Sequence, residues 1–221
     1  MNGHDGDVKC VVFSPSHNQW GDGDEILLSG GYDGNICVWA EDAGEWYCAS
    51  TLVAGNPSPQ NVTVWDLALA PGGVRLVGAM GDGSINIYKA YTYQEKQALR
   101  EKQQSSKKND NQYDKNGMWK CVGQLPQAHG GEVYSVAYAP SKAGHGRWAS
   151  CGADGLVQIY REALQSSSDA PLFSVEYTGI AKGGAELNAV AWHPFDGSTL
   201  VTAGDDGCVS VWDYAPPNAS S

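Results

Sequence analysis

Four of the seven Asp-Gly pairs in the chain open a short alternating strand that closes on an aromatic residue six positions after the Asp. The copies are Gly31-Tyr32-Asp33-Gly34-Asn35-Ile36-Cys37-Val38-Trp39, then Asp82-Gly83 to Tyr88, Asp154-Gly155 to Tyr160 and Asp206-Gly207 to Trp212. Asp-Gly between alternating apolar residues predicts a tight hairpin, here a type I′ turn with φ > 0 at both central positions. Upstream of each hairpin lies another strand, Val8 to Pro15, Val64 to Pro71, Val133 to Pro140 and Leu187 to Pro194. Each carries an apolar residue at its start and a large one five positions on (Phe13, Leu69, Tyr138, Trp192), with Pro two further, where a ladder cannot continue. A fourth strand follows three copies: Glu45 to Leu52, Met118 to Leu125 and Pro171 to Tyr177. Calling the strands a to d, the last copy has a, b and c but no d.

Four antiparallel strands per unit of about 40 to 45 residues is the pattern of a WD40 blade. The resemblance implies an all-β WD40 β-propeller with four blades present, a partial ring of a seven-bladed propeller. Residues 2–52 form the first blade, 53–125 the second, 126–178 the third, and 179–214 the fourth, which lacks its outer strand; 215–221 is a tail. In this family an N-terminal segment usually closes the ring by supplying that outer strand, and the expectation here is an open edge whose N–H and C=O groups are free to pair. Inside the second blade, 89–117 reads as a disordered basic insertion between strands c and d. It carries net charge +3 in a chain of −11, with a helical turn or two expected around Gln94 to Lys102.

The charge of −11 excludes a sequence-independent nucleic-acid binder, which needs Lys and Arg against phosphates, and disfavours anionic membrane surfaces. No run approaches the roughly 20 apolar residues of a membrane-spanning helix, and Met1-Asn2-Gly3-His4 opens no signal sequence, so a cytoplasmic or nuclear protein is expected. Cys10, Cys37, Cys48, Cys121, Cys151 and Cys208 stand singly in apolar segments with no Cys-x-x-Cys pair, so they read as packed thiols and no cofactor or metal is expected. His17, His145 and His193 have no spaced partners that would make them ligands.

A blade of this kind can hold a buried tetrad: the turn Asp accepts from a loop His, a strand-b Ser or Thr bridges, and the strand-c Trp donates its indole N–H. The first copy supplies His4, Ser29, Asp33 and Trp39. The third supplies His129, Ser150 and Asp154 with Tyr160 for Trp, and the fourth Thr202, Asp206 and Trp212 with Gly183 where His would sit. In the second only Asp82 remains, beside Gln60, Gly78 and Tyr88, so that blade is expected to be the least rigidly tied. Ser, His and Asp together also suggest a nucleophilic triad. Recurrence with the blade, and a Trp with no role in such chemistry, favour the structural reading. The expected interaction surface is the rim, where loops of successive blades converge. Lys9, Trp65, Tyr134 and Asn188, just after the first apolar residue of strand a, fall there, joined by Tyr32 and Asp205 before the turn Asp; packing between blades is the alternative role for the two large aromatics.

Asp7-Val8-Lys9-Cys10-Val11-Val12-Phe13, Trp46-Tyr47-Cys48-Ala49-Ser50-Thr51-Leu52, Trp119-Lys120-Cys121, His129 to Tyr138, Phe173-Ser174-Val175 and Asn188 to Tyr214 occur in an order that resembles the last four blades of the WD40 proteins of cytosolic iron-sulfur protein assembly. The resemblance covers residues 2–214 apart from the insertion. It implies a non-catalytic scaffold of the targeting machinery that matures extramitochondrial iron-sulfur proteins, with targeting subunits and client apoproteins as protein partners and no cluster of its own. Ile159-Tyr160-Arg161 resembles the Leu-Tyr-Arg tripeptide by which iron-sulfur clients contact a cochaperone, and it also forms the ordinary end of a strand c. The other function classes are a general WD40 adaptor, such as a ubiquitin-ligase substrate receptor or chromatin-complex subunit, and a hydrolytic propeller enzyme.

Overall fold

The computed structural model describes residues 3–15, 22–53, 62–92, 94, 95, 98, 119–140 and 146–215. The alternating segments become strands because each buries one or both faces against a neighbour. The first sheet holds β1 (Val8–Pro15), β2 (Glu25–Gly31), β3 (Asn35–Asp42) and β4 (Glu45–Val53). The second holds β5 (Val64–Leu69), β6 (Arg75–Met80), β7 (Ile85–Ala90) and β8 (Trp119–Leu125). The third holds β9 (Val133–Tyr138), β10 (Trp148–Gly152), β11 (Leu156–Glu162) and β12 (Phe173–Ile180), and the fourth only β13 (Leu187–Trp192), β14 (Thr199–Gly204) and β15 (Val209–Asp213). Every sheet is an antiparallel meander in chain order. These are four blades of an incomplete propeller, and no ring closes among the described residues.

The hydrophobic core lies between blades. Strand β5 packs on β1 and β2, β9 on β5 and β6, and β13 on β9, β10 and β11. Leu28, Ile36 and Val38 meet Val64 and Leu67 at the first junction; Ile85 and Ile87 meet Val133 and Val136 at the second; Val157 and Ile159 meet Leu187 and Val190 at the third. At the ends of the arc the same repeat positions have no cover. Val11 is 67% exposed where its counterpart Leu67 is 5%, and Val209 and Val211 are exposed where Ile36 and Val38 are buried.

The Asp-Gly turns depart from type I′. Gly34, Gly83, Gly155 and Gly207 have φ between 71° and 80°, whereas the preceding Asp residues are not among the positive-φ positions. Each Gly N–H returns to the carbonyl three residues back, as in Gly34 to Gly31 at 3.2 Å. This is a type I turn closed by a left-handed Gly, the three-residue hairpin loop. The Asp side chain selects it: Asp33, Asp82, Asp154 and Asp206 each accept the backbone N–H two residues on, at 2.9–3.1 Å.

Strand β7 runs to Ala90, so Lys89 is part of the ladder. Beyond it Gln94, Glu95 and Ala98 are helical. Thr92 and Glu95 form a reciprocal capping box, Thr92 N–H donating to Glu95 at 2.8 Å and Glu95 N–H to the Thr92 hydroxyl at 3.2 Å. The remainder of the insertion, His17, Gln60, His145 and residues 216–221 lie outside the described residues.

Candidate interaction rim

The inner strand of every blade carries the same irregularity. Pairing passes from Val8 to Cys10, Val64 to Asp66, Val133 to Ser135 and Leu187 to Ala189, skipping Lys9, Trp65, Tyr134 and Asn188. A bulge leaves the skipped residue without a ladder partner and re-aims its side chain, here toward the rim. The turn residue before each Asp is drawn to the same place. The N–H groups of Tyr32, Gly81, Ala153 and Asp205 donate to the carbonyls of Asp7, Thr63, Glu132 and Glu186 at 2.9–3.0 Å. Each blade thus brings three residues to the rim, one before the strand, one at the bulge and one at the turn, the turn residue of the second blade being Gly81.

Across blades these side chains form a continuous track. The Lys9 ammonium lies 4.0 Å from the Tyr32 ring centroid and 5.6 Å from that of Trp65. Tyr32 meets Trp65 edge-on at 5.5 Å, and Trp65 meets Tyr134 edge-on at 5.3 Å, geometries that the ring quadrupole favours. The Tyr134 hydroxyl reaches Glu132 at 3.2 Å and, on the fourth blade, Glu186 at 3.0 Å. Desolvation and then these two carboxylates push the phenol well up, so it stays a donor. Asn188 donates to Asp205 at 2.5 Å and ends the track. A Cβ at Gly81 would stand 3.5 Å from both Trp65 Nε1 and Glu132 Oε1, so the bare backbone there leaves a recess beside the central aromatic.

Of the six expected rim residues, Lys9, Tyr32, Trp65 and Tyr134 meet in one run of contacts, and Asn188 and Asp205 pair with each other on the fourth blade. Glu132, Glu186 and Asp66 were missed by the sequence reading. Asp66 sits one step below, its Oδ2 accepting from the Ser135 hydroxyl at 2.8 Å and Val136 N–H at 3.0 Å, while Val190 N–H donates to the Ser135 hydroxyl at 3.3 Å. Three blades are threaded by these bonds, and burial nevertheless pushes the Asp66 carboxyl up. The signal available was position: Asp66 and Ser135 are the same repeat site.

Directly behind the turns are the tetrads. In the first blade His4 Nδ1 meets Asp33 at 3.0 Å, His4 Nε2 meets the Ser29 hydroxyl at 2.8 Å, and Trp39 Nε1 donates to that hydroxyl at 2.7 Å. Burial opposes ionisation of Asp33, but bonds from His4, Asp5 N–H and Asn35 N–H outweigh it and hold the carboxyl below the usual range. The third blade repeats this with His129, Asp154 (2.9 Å) and Ser150 (2.6 Å). Its Tyr160 hydroxyl donates to Gln158 at 3.0 Å, and the ring stacks on Trp148 at 4.0 Å. In the fourth, Trp212 donates to Thr202 at 2.8 Å; Gly183 has φ 72°, a conformation that strains any L side chain, so His has no place there. Among the described residues Asp82 binds only its own turn, through Ser84 N–H and hydroxyl.

These sets do not make nucleophiles. Ser29 and Ser150 are buried, and the Ser29 oxygen is pinned by an indole donor. Among the described residues no group of three His, Cys, Asp or Glu could hold a metal ion, and no helix is long and apolar enough to cross a membrane. Burial pushes the Cys10, Cys37 and Cys151 thiols up to about 12, which keeps them protonated. Ile159 and Tyr160 are buried in β11, and only Arg161 of that tripeptide reaches solvent, where it pairs with Glu176 at 3.4 Å.

Residues 1–40, 119–161 and 176–213, more than half of the chain, match the family model described as WD domain, G-beta repeat. The chain belongs to that family. WD40 propellers are non-catalytic interaction scaffolds, in keeping with the closed Ser-His-Asp sets. This WD40 chain is 42% identical over 98 residues, 43% of its length and 28% of the relative's, to "Probable cytosolic iron-sulfur protein assembly protein 1" of Candida glabrata. It is 28% identical over 263 aligned positions, 96% of its length and 52% of the relative's, to the protein of that name from Chaetomium globosum. With "Probable cytosolic iron-sulfur protein assembly protein Ciao1" of Aedes aegypti it shares 29% over 188 residues, 82% of the chain and 48% of the relative. The chain spans about half the length, or less, of the curated relatives it matches.

Proposed function

We propose that this chain is part of a scaffold for cytosolic iron-sulfur protein assembly that holds its protein partners on the Lys9 to Asp205 track. The observation that carries the assignment is the alignment of nearly the whole chain, 96% of it, with a relative of that name. The rim geometry supports the mode of action. Trp and Tyr are the side chains that most often anchor interfaces, and here Tyr32 at a turn and Trp65 and Tyr134 at bulges meet edge-on across three blades. The partners in this reading are the targeting subunits and client apoproteins of the assembly machinery, met in the cytosol. In this reading the chain carries no cluster itself; among the described residues no group of three His, Cys, Asp or Glu is placed to hold a metal ion.

Affinity purification of the tagged chain from cytosol tests this. Iron-sulfur assembly subunits are expected in the eluate, and Trp65→Ala combined with Tyr134→Ala is expected to reduce their recovery at least about tenfold, the size of a lost hot spot. Recovery of cullin adaptors or histone-modifying subunits in their place overturns the assembly role. Undiminished recovery with the double variant overturns the rim as the binding surface.

A further inference from the structure

At the opposite end of the strands from the rim, the second and third blades part around a cavity of about 460 Å³, within the size range of small-ligand sites. Ala70, Pro71 and Val74, from the connection between β5 and β6, form its apolar wall, with Val74 half exposed. Arg75 and Lys89 line it from the second blade, and Tyr138, Glu162 and Ser168 from the third. Arg75 and Lys89 are the cations of the lining and Glu162 its carboxylate, and Glu95 and Asp169 also pair with Lys89.

The donors differ in how far they are used. Lys89 Nζ spends its three on Ser168 (3.2 Å), Glu95 (3.2 Å) and Asp169 (3.0 Å). Arg75 holds Glu162 through Nη1 alone, at 2.7 Å, and its guanidinium makes no other hydrogen bond among the described residues. The Tyr138 hydroxyl is shielded from solvent and has no hydrogen-bond partner among them. A buried hydroxyl without a partner is unfavourable and uncommon in native structures. The cavity therefore joins an apolar wall to two unspent donors, one of them charged.

We infer that this cavity binds a carboxylate-bearing peptide segment, its carboxylate taken by the Arg75 guanidinium and the Tyr138 hydroxyl and its neighbouring apolar side chain laid on Pro71 and Val74. A guanidinium suits a carboxylate because its planar fork presents parallel N–H groups. The cavity is separate from the rim, so this inference stands or falls independently of the assembly role.

Calorimetric titration of the full chain tests it with three probes: acetyl-Val-Glu-Val-amide, acetyl-Val-Gln-Val-amide, and acetyl-Val-Val with a free C-terminal carboxylate. Saturable binding of either carboxylate probe is expected at millimolar concentration, and the two arms distinguish a side-chain from a terminal carboxylate. The Gln probe is expected to bind at least about tenfold more weakly than the Glu probe if the side-chain arm binds. Arg75→Gln should abolish binding, but it also strands Glu162 and can unfold the chain. Tyr138→Phe removes only the unpartnered hydroxyl, leaves the fold intact, and is expected to weaken binding about tenfold. The inference is overturned by no saturable binding of either carboxylate probe, by side-chain binding that does not distinguish Glu from Gln, or by full affinity in Tyr138→Phe.

Discussion

The first and second blades hold the same Asp-Gly turn by different means. In the first, Asp33 is the hub of a buried network in which His4, Ser29 and Trp39 tie the incoming loop to both central strands, while Val8 and Val11 on one face of the blade stay exposed. In the second, Asp82 bonds among the described residues to its own turn alone, but β6 and β7 are buried along nearly their whole length between two neighbours. Counted by polar partners in the sequence, the second blade is the least rigidly tied. The structure adds the apolar cover on both faces, which a tetrad count does not register. A turn can be held by satisfied hydrogen bonds or by a sandwich of side chains around it, and this chain uses both.

Substitutions can break that contrast. Leu76→Ala, in the fully buried β6, is expected to cost about 4 kcal/mol, the range of a large-to-small change in a core that cannot collapse. Asp33→Ala should cost about 3 kcal/mol, because it strands the buried His4 side chain and two backbone donors. Asp82→Ala, at an exposed residue, should stay within about 1 kcal/mol. Urea unfolding of the three variants checks the order, and equal losses for Asp33→Ala and Asp82→Ala would remove the distinction between the blades. Trp39→Tyr gives the first blade the aromatic of the third without the Trp148 ring that stacks on it, and a loss of about 2 kcal/mol is expected.

The smallest effect concerns pH. Asp33 and Asp154 have folded values held below the ordinary carboxylate value. Their contribution to stability is complete above the unfolded value of about 3.9 and is lost as pH falls through the depressed folded values. Between pH 7 and pH 3 the wild-type urea midpoint should therefore fall further than that of Asp33→Asn. An unchanged difference between the two would show that the first-blade network carries no acid sensitivity.

The strands and turns were legible because period-2 alternation and Asp-Gly are local signals: β1 matches its expected bounds, and β5, β9 and β13 start where expected. The turn type was not, since the Asp side chain can close the loop from a negative φ and only the Gly must be left-handed. The rim residues were placed by repeat position, but not the reason for their direction. A bulge breaks alternation without changing composition, and appears only when two strands are paired. Least legible were the contacts between blades. Arg75 with Glu162, Lys89 with Asp169, and Asp66 with Ser135 are about 70 to 90 residues apart and depend on how the sheets are angled.

The bulges also bear on how such a surface can change over time. A residue in regular pairing answers to two masters, the ladder beside it and the core beneath it. Lys9, Trp65, Tyr134 and Asn188 are released from the ladder, being skipped by the pairing that flanks them on both sides, although Trp65 still packs against the core between the second and third blades. Four addresses along one arc can then be rewritten one at a time, from cation to indole to phenol to amide, while the frame that displays them keeps its register. The bulge positions are slots that the ladder does not read.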